Sequence, residues 1–402
     1  MVETTNCQPP LATERVSVKA SVFLAVALAV LLAAPFVALV PPGEAPDEPA
    51  HLAYVDHLVR HRALPPVGPR PDPQGAPSPF AYESYHPPLA YLVMAGPLYL
   101  AGVEHVDYPF YSDPDFAFQR NRRSFLASPS SVRETEARRA LYMARATNVL
   151  WLALASGSIL VTCLRVSSSP WTAFGAGVPF ALSPQLLFTA STVGNDAAAV
   201  AVAPALALVT AWMARAHRPR VVLSLVLPGL VLSSGWVALE VLRTGTILPS
   251  PPTGWHGGGG FVRLLTEPRW LLSAWGGYWA KFGWLNVSLP WPAYLAFVPP
   301  TLLALLGLCL VCRTRSKAGG VLVAVATANI FLLVVFMVRV DWQPQGRYLL
   351  PSSAALAGLA ALGLDRACLA LRADTARRVV LSSCLLAVLA AAGSLLAVAA
   401  VY

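Results

Sequence analysis

Apolar stretches of about twenty residues with few or no charges recur along this chain, and each is long enough as a helix to cross roughly 30 Å of hydrocarbon. Of the 402 residues 56% are hydrophobic and 12% charged, against roughly 25% charged in a soluble domain, too few to cover a water-facing surface. Spanning β-barrels need alternating segments of about ten residues, which are not seen, so the bilayer selects helices. The expected fold class is an all-α polytopic membrane protein with about nine transmembrane helices, forming a single transmembrane domain over 1–402. The first apolar run, Val16 to Val40, follows Arg15 and Lys19 like a signal peptide but lacks a small-residue cleavage site, so it reads as a retained span.

The nine candidate spans lie near 17–40, 140–164, 171–190, 197–214, 221–242, 291–312, 318–338, 348–364 and 379–401. A net charge of +9 would suggest nucleic acid in a soluble protein. Here the basic residues fall in short clusters between apolar runs, a pattern of topology and lipid headgroup contact, so membrane lipids and no nucleic acid are the expected partners. With the N-terminus cytoplasmic, Arg165, then Arg215/Arg218/Arg220, then Arg313/Arg315/Lys317, then Arg366/Arg372/Arg377/Arg378 all fall inside. The other side receives loop 41–139, the turn Thr192 to Asp196, loop 243–290 and the segment Arg339 to Arg347. None of the six cysteines lies in those long loops, which implies no disulfide framework. Cys309 and Cys312 form a C-x-x-C at the end of an apolar run, a spacing that fits helix packing better than zinc.

Loop 41–139 is too long for a connector. Its start, Pro49 to Arg62, carries an apolar stripe at Leu52, Val55 and Val59 and predicts a short helix on the membrane surface. Pro88 to Gly102 is apolar but only about 15 residues long, so it is expected to be interfacial or re-entrant rather than spanning. Aromatic residues in 243–290 place that loop against the leaflet as well.

The chemistry-bearing residues cluster on this second side. Asp47 and Glu48 follow span one directly, next to Pro49 and close to His51. Low dielectric and like charge can raise a carboxylate pKa toward working pH, so the pair fits a general base with a supporting acid, while either residue could equally cap the following helix. Glu83, Tyr85 and His86 form a second cluster before Pro87-Pro88, with groups that hold sugars through hydroxyl hydrogen bonds and ring stacking, or serve as an ordinary loop turn. Gln345, Arg347 and Tyr348 stand at the entrance of a late span, where the arginine can present a planar fork to a phosphate and the aromatics can anchor the interface. Asn195 and Asp196 occupy a tight polar turn. Arg138, Arg139 and Arg145 at the outer end of span two suggest an anionic partner or snorkelling to lipid phosphates.

Taken in order, Pro46-Asp47-Glu48-Pro49-Ala50-His51, His86-Pro87-Pro88-Leu89-Ala90-Tyr91, Asn195-Asp196 and Gln345-Gly346-Arg347-Tyr348-Leu349-Leu350-Pro351 resemble the GT-C superfamily of membrane glycosyltransferases, in particular its bacterial branch of multi-span proteins, with distant similarity to protein O-mannosyltransferases and aminoarabinose transferases. The resemblance implies an inverting transfer of a sugar from a polyprenyl-phosphate donor to an acceptor hydroxyl on a glycan, lipid or protein, at the external face of the cytoplasmic membrane. It implies Asp47 as base with Glu48 as neighbour, Arg347 against the leaving lipid phosphate, and His51, Glu83, Tyr85, His86, Asn195, Asp196, Gln345, Tyr348 and Arg145 around the substrates. No cofactor is required by the motifs, and a divalent metal is left open. The chain is shorter than better-known members and has no soluble C-terminal domain to grip an acceptor. A lipid-carrier flippase or transporter is the alternative, for which Glu240 would be the buried acid, and a non-catalytic scaffold of cell-envelope assembly is a third.

Overall fold

The computed structural model describes residues 12–66, 83–104, 106, 111–112, 126–127, 132–202, 241–242, 260–339 and 342–402. Among these, six helices are long and apolar enough to cross a membrane: Ser17–Leu39, Glu136–Val166, Trp291–Thr314, Lys317–Arg339, Gly346–Cys368 and Ala373–Ala399. Nine spans are therefore not confirmed among the described residues. The spans expected near 197–214 and 221–242 lie outside the described residues, save a helical start at 196–202 and residues 241–242.

The span expected at 171–190 is broken. Helix α5 (Pro170–Ala181) and helix α6 (Pro184–Ala190) meet at a 53° bend, so the two together make at most a seventh crossing. Pro184 supplies no N–H to the preceding turn, and its ring disfavours helical geometry in the residue before it. The same chemistry shapes two other entrances. Trp291–Phe297 and Gly346–Ser352 are 3₁₀ turns, one preceding Pro299-Pro300 and the other holding Pro351, before the regular helices α9 (Val298–Thr314) and α11 (Ser353–Cys368) begin.

Helices α1 (Ala12–Leu39), α4 (Val132–Val166), α5 and α11 form the centre of the bundle, with α10 (Lys317–Arg339) and α12 (Ala373–Ala399) against its sides. Large side chains such as Phe23, Leu150, Leu154, Leu302, Phe331 and Leu389 face outward, while the interior is rich in alanine. Small residues let backbones approach where no water-driven collapse brings helices together. Gly307 on α9 and Gly363 on α11 do this, since a Cβ at Gly307 would collide with the Leu359 carbonyl oxygen and one at Gly363 with that of Leu303.

The segment after α1 turns onto the bundle end as α2 (Glu48–His61), and the stripe Leu52, Val55 and Val59 is its buried face. Helix α3 (Leu89–Leu100) is 12 residues long and packs on α2 and α4 with Leu89, Leu92 and Leu100 outward. It is too short to span, as its Pro and Gly brackets predict. Loop 243–290 contributes α7 (Gly260–Thr266), α8 (Arg269–Trp279) and a two-residue hairpin pairing Lys281–Phe282 with Val287–Ser288. At the opposite end of the bundle Asp365 accepts from Ser167 Oγ at 2.8 Å and the Ser168 amide at 2.6 Å, tying the α4–α5 connection to the end of α11. Cys309 and Cys312 are exposed on α9, facing outward rather than packing between helices.

Candidate functional site

The site begins with a buried ion pair. Arg145 on α4 and Glu48 at the start of α2 are both 0% exposed, with Nη2 to Oε2 at 2.6 Å and Nε to Oε1 at 2.8 Å. The remaining Arg145 donors go to the carbonyls of Val37 at 3.0 Å, Val40 at 2.5 Å and Pro41 at 3.0 Å. These carbonyls belong to the last turn of α1 and the residues just after it, where acceptors have no partner within the helix and the dipole favours a cation. Glu48 also accepts from the amides of Gly43 at 2.8 Å and Val193 at 2.9 Å. One side chain from each helix thus fastens the end of α1, the start of α2 and the turn after α6. Three residues further along α4, Asn148 Nδ2 donates to the carbonyls of Thr192 at 2.7 Å and Gly194 at 3.1 Å and fixes the same turn.

This corrects two assignments. Glu48 accepts four hydrogen bonds, which fills the acceptor capacity of a carboxylate, so it has no lone pair for a substrate proton. Arg145 spends all five donors inside the protein and is neither a snorkelling cation nor an open anion site.

Asp47 is different. It occupies the N-cap position of α2 but makes no side-chain cap bond, so the capping alternative does not hold. Its φ of 63° is left-handed, a region aspartate tolerates better than most residues. That backbone turn sends the carboxylate away from the helix amides to Arg347, with Nη2 to Oδ2 at 2.7 Å across 300 residues of sequence. Oδ1 takes no hydrogen bond among the described residues, and the side chain is 42% exposed. Burial is the largest single influence and raises the Asp47 carboxyl pKa, but the Arg347 charge and hydrogen bond, with His51 and His86, together outweigh it and hold the group below the ordinary carboxylate value, ionised at neutral pH.

Arg347 sits in the Gly346–Ser352 turn with its side chain 10% exposed. Its Nη1 lies 3.6 Å from Asp196 Oδ2, its Nη2 is 3.3 Å from the Tyr348 hydroxyl, and its buried Nε–H has no partner among the described residues. The turn is held against α8 by Gly346, where a Cβ would overlap the Ala274 carbonyl and the Tyr278 amide. Arg347, Asp196, His51, Pro46, Gln185 and Thr189 line a cleft of about 310 Å³, mouth included, and Asp47 adjoins it through its bond to Arg347.

His51 lines the same cleft, its ring against Gly194 and its Nδ1 2.8 Å from the Tyr91 hydroxyl. The same hydroxyl is 3.2 Å from His86 Nδ1, and Tyr91 stacks on Tyr54 with centroids 3.9 Å apart. Burial above all, then the nearby His86, pushes the His51 pKa down to about 3, and burial lowers that of His86, so both rings are neutral at neutral pH.

Of the residues singled out in the sequence, Asp47, His51, Asp196, Arg347 and Tyr348 come together, and His86 joins them through Tyr91. Glu83 is buried at the start of the Glu83–Tyr85 turn, near Tyr91. Tyr85 and Asn195 are half-buried and outside the hydrogen-bonded cluster, and Gln345 turns to Gln343 at 2.6 Å. Glu240 lies outside the described residues. Sequence reasoning passed over Tyr91, Asn148, Gln185 and Thr189 as site residues. The signal for three of them is a polar residue inside an apolar run: Asn148 three positions after Arg145, and Gln185 and Thr189 just past the Ser183-Pro184 break. No three His, Cys, Asp or Glu side chains converge as a metal-binding group among the described residues.

Fold and site together define an all-α, multi-pass membrane protein with a polar cleft at one end of its bundle. Comparison of the chain with protein-family models, curated proteins and solved structures finds no match.

Proposed function

We propose that the protein is an inverting glycosyltransferase of GT-C type that moves a sugar from a polyprenyl-phosphate donor to an acceptor hydroxyl at the external face of the cytoplasmic membrane. The observation that carries this reading is the Asp47–Arg347 pair, an ionised carboxylate with one open oxygen beside an arginine with an unused Nε–H, at a cleft lined by further hydrogen-bonding groups. A structural ion pair would not require an arginine with an unsatisfied buried donor.

In the proposed reaction the acceptor hydroxyl binds Asp47 Oδ1 and attacks the anomeric carbon from the face opposite the phosphate. The new C–O bond forms as the bond from anomeric carbon to phosphate oxygen breaks. The hydroxyl proton passes to Asp47, and the electron pair of the broken bond leaves with the polyprenyl phosphate. Negative charge grows on that oxygen, where Arg347, largely withdrawn from water, provides a fixed cation. Asp196 keeps Arg347 oriented once Asp47 engages the acceptor. Neutral His51, with Gln185 and Thr189, offers hydrogen bonds to sugar hydroxyls without adding charge. Glu48 and Arg145 act as positioning residues, because they fix the backbone on either side of Asp47.

The test is turnover. Membranes enriched in the protein, given a panel of polyprenyl-phosphate sugars, are expected to release polyprenyl phosphate and form a glycoside of inverted anomeric configuration. Carrier movement across the bilayer with the sugar still attached would instead establish a transporter.

A further inference from the structure

Among the described residues Tyr91 hydrogen-bonds to both histidines through a single phenolic oxygen, 2.8 Å from His51 Nδ1 and 3.2 Å from His86 Nδ1. A phenol has one proton to give. Where it donates to one Nδ1, that imidazole holds its own proton on Nε2. The other imidazole can reach the same oxygen only as a donor, so its proton is on Nδ1 and its Nε2 is an acceptor. Among the described residues these two nitrogens are the only hydrogen-bond partners of the phenol.

We infer that Tyr91 couples the tautomers of His51 and His86, so that one ring carries Nε2–H while the other keeps Nε2 as an acceptor, and His51, the ring that lines the cleft, presents one or the other form to a polyhydroxyl ligand. Three features keep the unit in this form. The phenol is buried and stacked on Tyr54, which fixes its ring plane. Burial, and secondarily Glu83, raises its pKa well above the ordinary value, so it stays protonated. Both imidazoles are held neutral, so neither becomes a double donor near neutral pH. The charges facing them are Asp47, Asp196 and Arg347, none of which hydrogen-bonds to either ring among the described residues. His51 lines the cleft with its Nδ1 turned to Tyr91, leaving Nε2 as the ring nitrogen free for a ligand. Reversing the phenolic O–H exchanges the two roles, which lets one pocket match a sugar hydroxyl that donates in one stage and accepts in another. Sugar as the ligand rests on the glycosyltransferase reading; the coupling does not.

The experiment is nitrogen-15 NMR on histidine-labelled protein in micelles at pH 7.5, with His51 and His86 assigned from single His→Gln variants. The wild type is expected to show one ring protonated at Nδ1 and the other at Nε2. In Tyr91→Phe the ring protonated at Nδ1 reverts to Nε2–H, the form preferred in water, and in His86→Gln the freed phenol leaves His51 as Nε2–H. Donor-sugar KM should rise about 3- to 10-fold in Tyr91→Phe, the scale of one lost hydrogen bond, with kcat changing less. Both rings protonated at Nδ1, or both at Nε2, in the wild type, or an unchanged pattern in Tyr91→Phe, would overturn the coupling even in an active enzyme. Opposite tautomers in a protein that turns over no glycosyl donor would uphold the coupling and remove the sugar-transfer reading.

Discussion

Asp47 and Glu48 are neighbours in the chain, yet Glu48 accepts four hydrogen bonds and Asp47 one, from Arg347. That supply decides their roles. Deleting a charge from the saturated pair leaves its partner buried and bare, so Arg145→Met should destabilise the protein by about 3–5 kcal/mol, and the double variant with Glu48→Gln should recover much of the loss. Thermal unfolding in detergent measures this, and an Arg145→Met protein as stable as wild type would remove the clamp from the account. Asp47 makes a prediction about pH. A carboxyl whose folded pKa is depressed keeps its ion pair above the unfolded value near 3.9 and loses it as pH falls through the lower folded value. With Asp47 held below the ordinary carboxylate value and His51 at about 3, neither titrates from pH 5 to 8. The profile of kcat/KM should therefore show no acid limb in that range, and a limb centred above pH 5 would contradict the assignment of these two groups. Chemistry of this kind was legible in the sequence as residue type, since an acid pair after a span and an arginine before one are visible there. Which acid faces the cleft was not, because it depends on Arg145 and on the Gly43 and Val193 amides, none of them next to Glu48 in sequence.

Elements were legible where a single periodicity or length settled them. The stripe Leu52, Val55 and Val59 became the buried face of α2, and α3 stayed too short to cross. The break between α5 and α6 was missed because 171–190 carries no charged residue, and Ser183-Pro184 is the local signal that marks it. That break matters to the site, since α6 presents Gln185 and Thr189. The Gly346–Ser352 turn makes a sharper case: Arg347 is aimed by the preceding glycine, not by its own helix. Gly346→Ala puts a methyl group into α8 backbone and should cost about 1–3 kcal/mol of stability. It should also lower transfer by about 10²-fold, because roughly 1 Å of displacement at a reacting group is enough for that. Wild-type activity in Gly346→Ala would show that the turn does not position Arg347.

For the whole molecule, charge patterning predicts which end of the bundle faces out, and contacts define the two ends independently of any membrane. One end gathers Glu48, Arg145, Arg347 and the Lys281–Ser288 hairpin, joined by bonds such as Trp284 Nε1 to the Gly43 carbonyl at 2.9 Å and the Lys281 amide to Gln185 Oε1 at 2.8 Å. The other holds Asp365, Ser167 and Thr172. Single cysteines at the exposed positions Ser288 and Ser316, in a background without the six native cysteines, separate the possibilities. An impermeant maleimide should label position 288 but not 316 in intact cells, and the reverse would place the cleft in the cytoplasm.

The most direct measurement compares purified wild-type and Asp47→Asn protein in sugar transfer from a polyprenyl-phosphate donor. Asparagine keeps the size of the side chain and a hydrogen bond to Arg347 but cannot take a proton. Transfer should fall by about 10²–10⁴-fold, the range for loss of a general base, with unfolding temperature nearly unchanged. Full transfer by a folded Asp47→Asn protein would contradict the claim that Asp47 accepts the acceptor's proton.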